Sequence, residues 1–467
     1  MSHMTVKPKR LLVCVFSHHL GGGIERWLDE LTAYLPSHGW DVVMGLARGR
    51  RYNNPKQWAE LFSSRETLEI DGRTGTPEGR VAAVCRAIAR TRPDVVMPLG
   101  LSDVYRAVAR SKRMGVQVRL AIALHAINCE LLHDVSRAEP VIDLCVGVNP
   151  LQEKFLLHSG TFQPEHVKTI VNGVPPPTAP NKSEVRKDKA PLRILFIGRL
   201  NHQHKRVLDL VPLVDQLDMR GVNFQLTVAG SGESERELKD RLHQRILAGQ
   251  IVFTGYLPPD EVYRSVYPRQ DALVVLSPSL GEACPLVIEE AMAHGVVPVC
   301  TDFVGLRSLG FVRHGVTGYI YPCGDVSKAA DHFRDLANGS SLLQGMSNAC
   351  IESARDLALD TAHRKWLDAL DDLADRPPRP LPANLGPIAL EPLNGRNRLD
   401  RLMSPASADR VRRLLRRFPD HPDGWAEWPA TLTYVDEDAR KTMLSDLCQL
   451  DDPGAHGRRQ GATTGAD

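Results

Sequence analysis

Short apolar runs alternate along this chain with segments whose apolar residues recur at helical spacing, first from Lys9 to about Gly173 and again from Arg193 onward. The runs Leu11 to Phe16, Asp41 to Leu46, Val95 to Pro98, Leu120 to Leu124, Leu144 to Val148 and Thr169 to Val171 predict strands. A helical pattern from Trp27 to Leu35 separates the first two. Nearly continuous apolar character suits parallel strands buried on both faces, and strand–helix alternation predicts βαβ units. A second series predicts strands at Arg193 to Ile197, Phe224 to Ala229, Ile251 to Phe253, Ala272 to Leu276 and Val296 to Cys300. Between the series, Asn172-Gly-Val-Pro-Pro-Pro-Thr-Ala-Pro180 breaks the pattern, and a charged stretch from Lys182 to Lys189 follows it. The expected architecture is α/β. Two Rossmann-like domains, 5–175 and 193–360, face each other across a cleft, joined by a linker at 176–192. A closing helix is expected at 361–375, before a Pro-rich linker and tail over 376–467.

Composition narrows the class without naming an activity. The 467 residues suffice for two ordinary cores, and 58 basic against 56 acidic groups give a formal charge of +2, with no global electrostatic case for nucleic acid. No run of 18 apolar residues predicts a membrane span, and the N-terminus lacks the apolar core of a secretory signal, so a cytoplasmic protein is expected. Nine scattered cysteines without Cys-x-x-Cys spacing read as reduced thiols. Met1-Ser-His-Met4 resembles a cloning remnant and is expected to lie outside the fold. In the tail, Val411 to Phe418 predicts a basic amphipathic helix, packed on a partner in preference to a membrane surface. Trp425 and Trp428 are expected to anchor the tail, and 454–467 to be disordered.

The candidate chemistry gathers at strand ends. Ser277 to Gly295 sets Glu282 and Glu290 eight residues apart around a helix start, with Pro285 suited to its first position and Gly295 to its stop. At helical rise, Glu290 lies roughly 7–8 Å beyond Pro285 along the axis. One extended ligand fits that separation, with an anion at the helix mouth, although two carboxylates so spaced also occur on solvated helix faces. Gly21-Gly22-Gly23 after the first strand lets backbone amides approach a phosphate, or serves as a plain turn. Arg199, reached through Gly198, and Lys205 in Asn201-His-Gln-His-Lys-Arg206 offer cations for phosphate oxygens, with Arg206 as an alternative to Lys205. His125 closes one first-domain strand, and His18 and His19 follow another, where they are candidates for the acceptor side. His202 and His204 lack a partner set, and no metal is indicated.

Ser277 to Gly295 resembles the glutamate, seven residues, glutamate signature of retaining glycosyltransferases of family 4, which have the GT-B fold. Asn172-Gly-Val, Val252 to Leu257 and Gly315 to Ile320 resemble further landmarks, so the resemblance spans roughly residues 9 to 370. It implies a first domain for the acceptor and a second for a nucleoside-diphosphate sugar. Glu290 would then hold ribose and Glu282 the donor sugar, with Arg199 and Lys205 on the diphosphate and His125 beside the sugar. Gly22, Gly23, Gly198, Ala283, Cys284, Pro285 and Leu286 would line the donor site. The implied reaction is glycosyl transfer with retention, needing no obligatory metal or cofactor, to a small metabolite, glycan or lipid-linked sugar. Where the family often has Gly-Phe after the first glutamate, this chain has Ala283-Cys284. A nucleotide-sugar epimerase, a phosphorylase and a catalytically silent sugar-nucleotide-binding scaffold are the other readings. Product analysis, phosphate dependence and binding without turnover separate them.

Overall fold

A computed structural model describes residues 8–17, 22–49, 53–72, 74–177, 190–385, 388, 399, 402–416, 427–431 and 435–452. The first domain is a parallel sheet of β1 (Lys9–Val15), β2 (Trp40–Arg48), β3 (Glu66–Asp71), β4 (Val95–Leu99), β5 (Arg119–Leu124), β6 (Leu144–Gly147) and β7 (Val167–Thr169), in the order β3-β2-β1-β4-β5-β6-β7. The second is a parallel sheet of β8 (Leu192–Ile197), β9 (Phe224–Ala229), β10 (Ile251–Gly255), β11 (Ala272–Val275), β12 (Val297–Thr301) and β13 (Tyr319–Tyr321), in the order β10-β9-β8-β11-β12-β13.

Burial explains why apolar runs became the central strands. Leu11 through Val15 are all fully buried. Alternate side chains enter opposite cores, Leu12 and Cys14 on one face of the sheet and Leu11, Val13 and Val15 on the other. In each sheet the strand order reverses beside the first strand, between β1 and β4 and between β8 and β11, and ligand crevices of open parallel sheets form outside such points. β3 and β13 were not anticipated. β3 is an edge strand whose burial is confined mainly to Ile70, and β13 has only three residues.

The chain crosses back near its first crossover. Val174 N–H donates to Leu357 O at 2.9 Å and Leu359 N–H to Val174 O at 3.1 Å, after which the helix Leu359–Asp375 lies on the first domain. Lys9 Nζ pairs there with Asp371 and Asp375, each at 2.9 Å, and buried Trp366 meets Trp27.

The tail then grips both domains. In place of the expected helix over 411–418 packed on a partner, a helix Pro405–Leu415 rests on the chain's own helix Pro77–Thr91 through buried Ala408, Asp409 and Arg412, with 417 and 418 outside the described residues; Thr76 Oγ1 donates to Asp409 at 2.9 Å. Trp428 is buried in the first domain, while Trp425 and 454–467 lie outside the described residues. The helix Glu437–Asp451 buries Leu447 in the first domain's core, and Arg440 pairs with Glu130. The Asp451 carboxylate accepts from Gly305 N at 2.9 Å and Ser308 N at 2.8 Å in the second domain. All nine cysteines are free thiols. Among the described residues, no helix is long and apolar enough to cross a membrane.

Candidate functional site

The segment with the two glutamates forms a loop after β11 and the helix Leu286–Ala293. Pro285 does not take the first helical position as expected; it is extended, at φ −70° and ψ 102°, and caps the helix from outside. Glu282 lies in the loop and is tied at Oε1 to Lys205 Nζ and, at 3.0 Å, to Ser277 Oγ. Lys205 ends the short helix His202–Lys205, begun by Asn201, whose side chain accepts from His204 N. Arg206 instead pairs with Asp209 at 2.8 Å, which leaves Lys205 as the cation at the carboxylate. Arg199 is exposed after Gly198, whose φ of 149° is a conformation that L side chains rarely adopt.

The glycine loop meets the second domain from across the cleft. A Cβ at Gly22 would lie 2.5 Å from Glu25 Oε2 and 3.5 Å from the Arg199 guanidinium, and one at Gly23 would lie 3.4 Å from Leu286 Cδ1. Gly22, Gly23, Gly198, Arg199 and Leu286 therefore converge. His18, His19 and Gly21 lie outside the described residues.

Glu290 has more partners than its spacing revealed. Only 5% exposed, it accepts at Oε1 from Arg26 Nη1 at 2.7 Å and Tyr263 Oη at 3.0 Å, and at Oε2 from Tyr267 Oη at 2.7 Å. The Tyr263, Tyr267 and His294 rings stack around it. Arg26 belongs to the helix opened by the glycine loop, so this ion pair joins the two domains.

Three strand ends of the first domain hold the glutamate loop in sequence. Gly281 N–H donates to Ile127 O at 3.0 Å, Asn149 Nδ2 donates to Ala283 O at 2.7 Å, and the Asn172 amides face the Cys284 sulfur. Asn149, fully buried, also donates to Gly305 O at 3.1 Å while its Oδ1 caps the helix Pro150–His158. Sequence reasoning missed this residue. Its signal was the capping box Asn149-Pro-Leu-Gln152, which marks the helix start but not the two distant carbonyls.

Cys284 turns its thiol toward Glu289 Oε1 at 2.6 Å. Burial, reinforced by the nearby Glu290 charge, holds the Glu289 carboxyl well above the usual range despite that hydrogen bond. His125 packs on Trp27 with ring centroids 4.1 Å apart, and its Nε2 is buried without a hydrogen-bond partner. Burial lowers its pKa to about 3, so the ring is neutral near pH 7. It therefore faces its surroundings as a neutral imidazole and not as a resident cation. Among the described residues, no group of three or more His, Cys, Asp or Glu is placed to hold a metal.

Two facing Rossmann-like domains, with a carboxylate-bearing loop and a glycine loop meeting in the cleft, define a GT-B fold. Residues 178–356 match the family model described as glycosyl transferases group 1. The chain is similar to the amylovoran biosynthesis glycosyltransferase AmsK of Erwinia amylovora, 29% identical over 32% of this chain and 37% of the relative. It is also similar to the putative colanic acid biosynthesis glycosyltransferase WcaL of Salmonella typhimurium, 25% identical over 66% of this chain and 86% of the relative. Among solved structures, Anabaena HepE in complex with UDP superposes with a TM-score of 0.59, at 16% identity, covering 78% of this chain and 100% of that one. The chain spans two fifths or less of the length of the first curated relatives, AmsK included. Together these comparisons make the chain similar to glycosyltransferases, and the solved structures share its fold.

Proposed function

We propose that this protein transfers a glycosyl group from a nucleoside-diphosphate sugar to an acceptor in glycan or polysaccharide synthesis, with retention at the anomeric carbon. The observation that carries this reading is the convergence of Arg199 with Gly22 across the cleft, alongside the paired Lys205 and Glu282 at the mouth of the helix Leu286–Ala293. A diphosphate there meets two cations and the positive end of a helix, which favour the charge that grows on a departing phosphate. Glu282 binds donor-sugar hydroxyls and Glu290 the ribose, sharing its carboxylate with Arg26 and the two tyrosines. The leaving phosphate assists removal of the acceptor's proton on the same face. Basic groups and amides supply the electrostatic stabilisation, so no obligatory metal is proposed.

Thermal stabilisation by uridine, guanosine, adenosine and thymidine diphosphates, with and without magnesium, tests the donor site. One diphosphate is expected to raise the melting temperature without magnesium, by linkage to the folded state, and Glu290→Ala to diminish the shift. No shift with any diphosphate at millimolar concentration overturns the proposal. Anomeric analysis of the product then tests retention.

A further inference from the structure

The carboxyl ends of the first sheet are covered from two sides. Over β5, β6 and β7 lies the glutamate loop, held at Ile127, Asn149 and Asn172. Over β2, β3 and β4 lies the tail. Trp428 Nε1 donates to Arg48 O, at the end of β2, at 3.2 Å. Its ring is so close to Gly72, just beyond β3, that a Cβ there would approach within 2.3 Å. Past β4, Ser102 N–H donates to Pro429 O at 3.3 Å and Ser102 Oγ to Ala430 O at 2.5 Å. The end of β1 lies between β2 and β4 in the sheet order, flanked on both sides by strands the tail covers, at the β1/β4 switch point where an open parallel sheet presents its ligand crevice.

A hydrogen-bonded relay connects the tail to β1. Glu427 Oε2 accepts from Asn53 N at 3.2 Å and Asn53 Nδ2 at 3.4 Å. Asn53 Oδ1 accepts from Ser17 N at 3.0 Å, and Ser17 O accepts from Asn54 N at 3.0 Å. Ser17 and Asn53 are only 3% and 7% exposed, so loss of one bond leaves polar groups away from water. We infer that Glu427 to Ala430 form the acceptor-side wall of the cleft, and that Glu427 is a positioning residue acting through Asn53 on Ser17. This rests on the glycosyl-transfer reading. The wall runs from the ends of β2 and β3 to the end of β4, on both sides of β1, so it admits a small acceptor or the end of a glycan rather than an internal stretch of a long one.

The test compares the full chain with Glu427→Ala and the conservative Glu427→Gln. Donors are the sugar nucleotides of the diphosphate that stabilises the protein; acceptors are methyl glycosides and the matching di- and trisaccharides. Glu427→Ala is expected to raise acceptor KM about tenfold, more than it lowers kcat, while the diphosphate-induced melting shift stays within about twofold and Gln restores most of the loss. Amide exchange in peptides covering 11–17 and 53–62 should quicken about tenfold in the Ala variant. Unchanged exchange with unchanged acceptor KM overturns the inference, as does an equal rise in donor and acceptor KM. Modification at internal residues of a long glycan overturns the acceptor class. Absence of a diphosphate shift in the wild type is instead a failure of the glycosyl-transfer reading, and exchange at 11–17 still decides whether Glu427 positions Ser17.

Discussion

Arg26 of the first domain and Glu290 of the second share a charged hydrogen bond of 2.7 Å across the cleft, with side chains 19% and 6% exposed. Removing one partner leaves the other carrying a largely desolvated charge. Arg26→Ala is expected to cost about 3 kcal/mol of stability by denaturant unfolding, and Arg26→Ala with Glu290→Ala less than the sum of the single variants. Strict additivity would show that the pair is not coupled.

Asn149 gives two separable predictions, because its oxygen caps a helix and its amide serves the opposite domain. Asn149→Ala loses both functions and should destabilise by about 2–3 kcal/mol. Asn149→Asp keeps a good cap but turns a carboxylate toward the Ala283 and Gly305 carbonyl oxygens. It should therefore weaken the diphosphate-induced melting shift even where the helix is retained; an unchanged shift in Asn149→Asp would separate the contact from donor binding.

Glu289 should make stability fall as pH rises. Its folded pKa lies well above the ordinary 4.5, so the folded chain keeps a proton that the unfolded chain releases from about that pH upward. Stability contributed by that proton is complete below 4.5 and is lost as pH climbs through the folded value. Glu289→Gln removes the titration, so melting temperatures measured from pH 5 to 9 should increasingly favour the variant. A constant difference across that range contradicts the prediction.

His125 acts at the other end of the pH scale. With a folded pKa of about 3 against an ordinary 6.5, it remains neutral in the folded chain while the unfolded chain takes up a proton. Stability from this group is therefore present above 6.5 and is lost as pH falls toward 3. His125→Phe should flatten the decline in melting temperature between pH 6.5 and 4, after allowance for any change of packing on Trp27.

Asp451 accepts two backbone amides of the second domain from a helix seated on the first. Asp451→Ala should cost about 1–2 kcal/mol, since the buried N–H of Gly305 and the partly buried N–H of Ser308 lose their acceptor. Deleting 386–467 removes Trp428 and Leu447 from the first domain's core as well, and is expected to lower soluble yield and melting temperature together.

The sequence disclosed the sheets because their central strands are buried on both faces and carry little but Val, Leu, Ile, Ala and Cys. Phe224–Ala229 coincides with its expected bounds, whereas Glu66–Asp71, polar and mostly exposed, offered no comparable signal. Glu282, Lys205 and the glycine loop were legible because each belongs to a local pattern. The Arg26 bond to Glu290 spans 264 positions and the Asn149 bond to Ala283 spans 134, and neither residue type announces a distant partner. Trp428 was legible as an anchor by its size and apolarity. Its place over the ends of β2 and β3 came only from tertiary packing.

The bond from Ser102 to Ala430 also sets an order of events on the ribosome. Its partners are 328 residues apart, so at about 5–20 residues per second the end of β4 must wait roughly 15–65 s for the segment that covers it. During that interval the first sheet can form, but its carboxyl edge still exposes the surfaces later covered by Trp428 and Leu447. Completion of the first domain thus waits until the second domain and the tail segment through Leu447 have been made, and a nascent chain with an unfinished edge has both to receive.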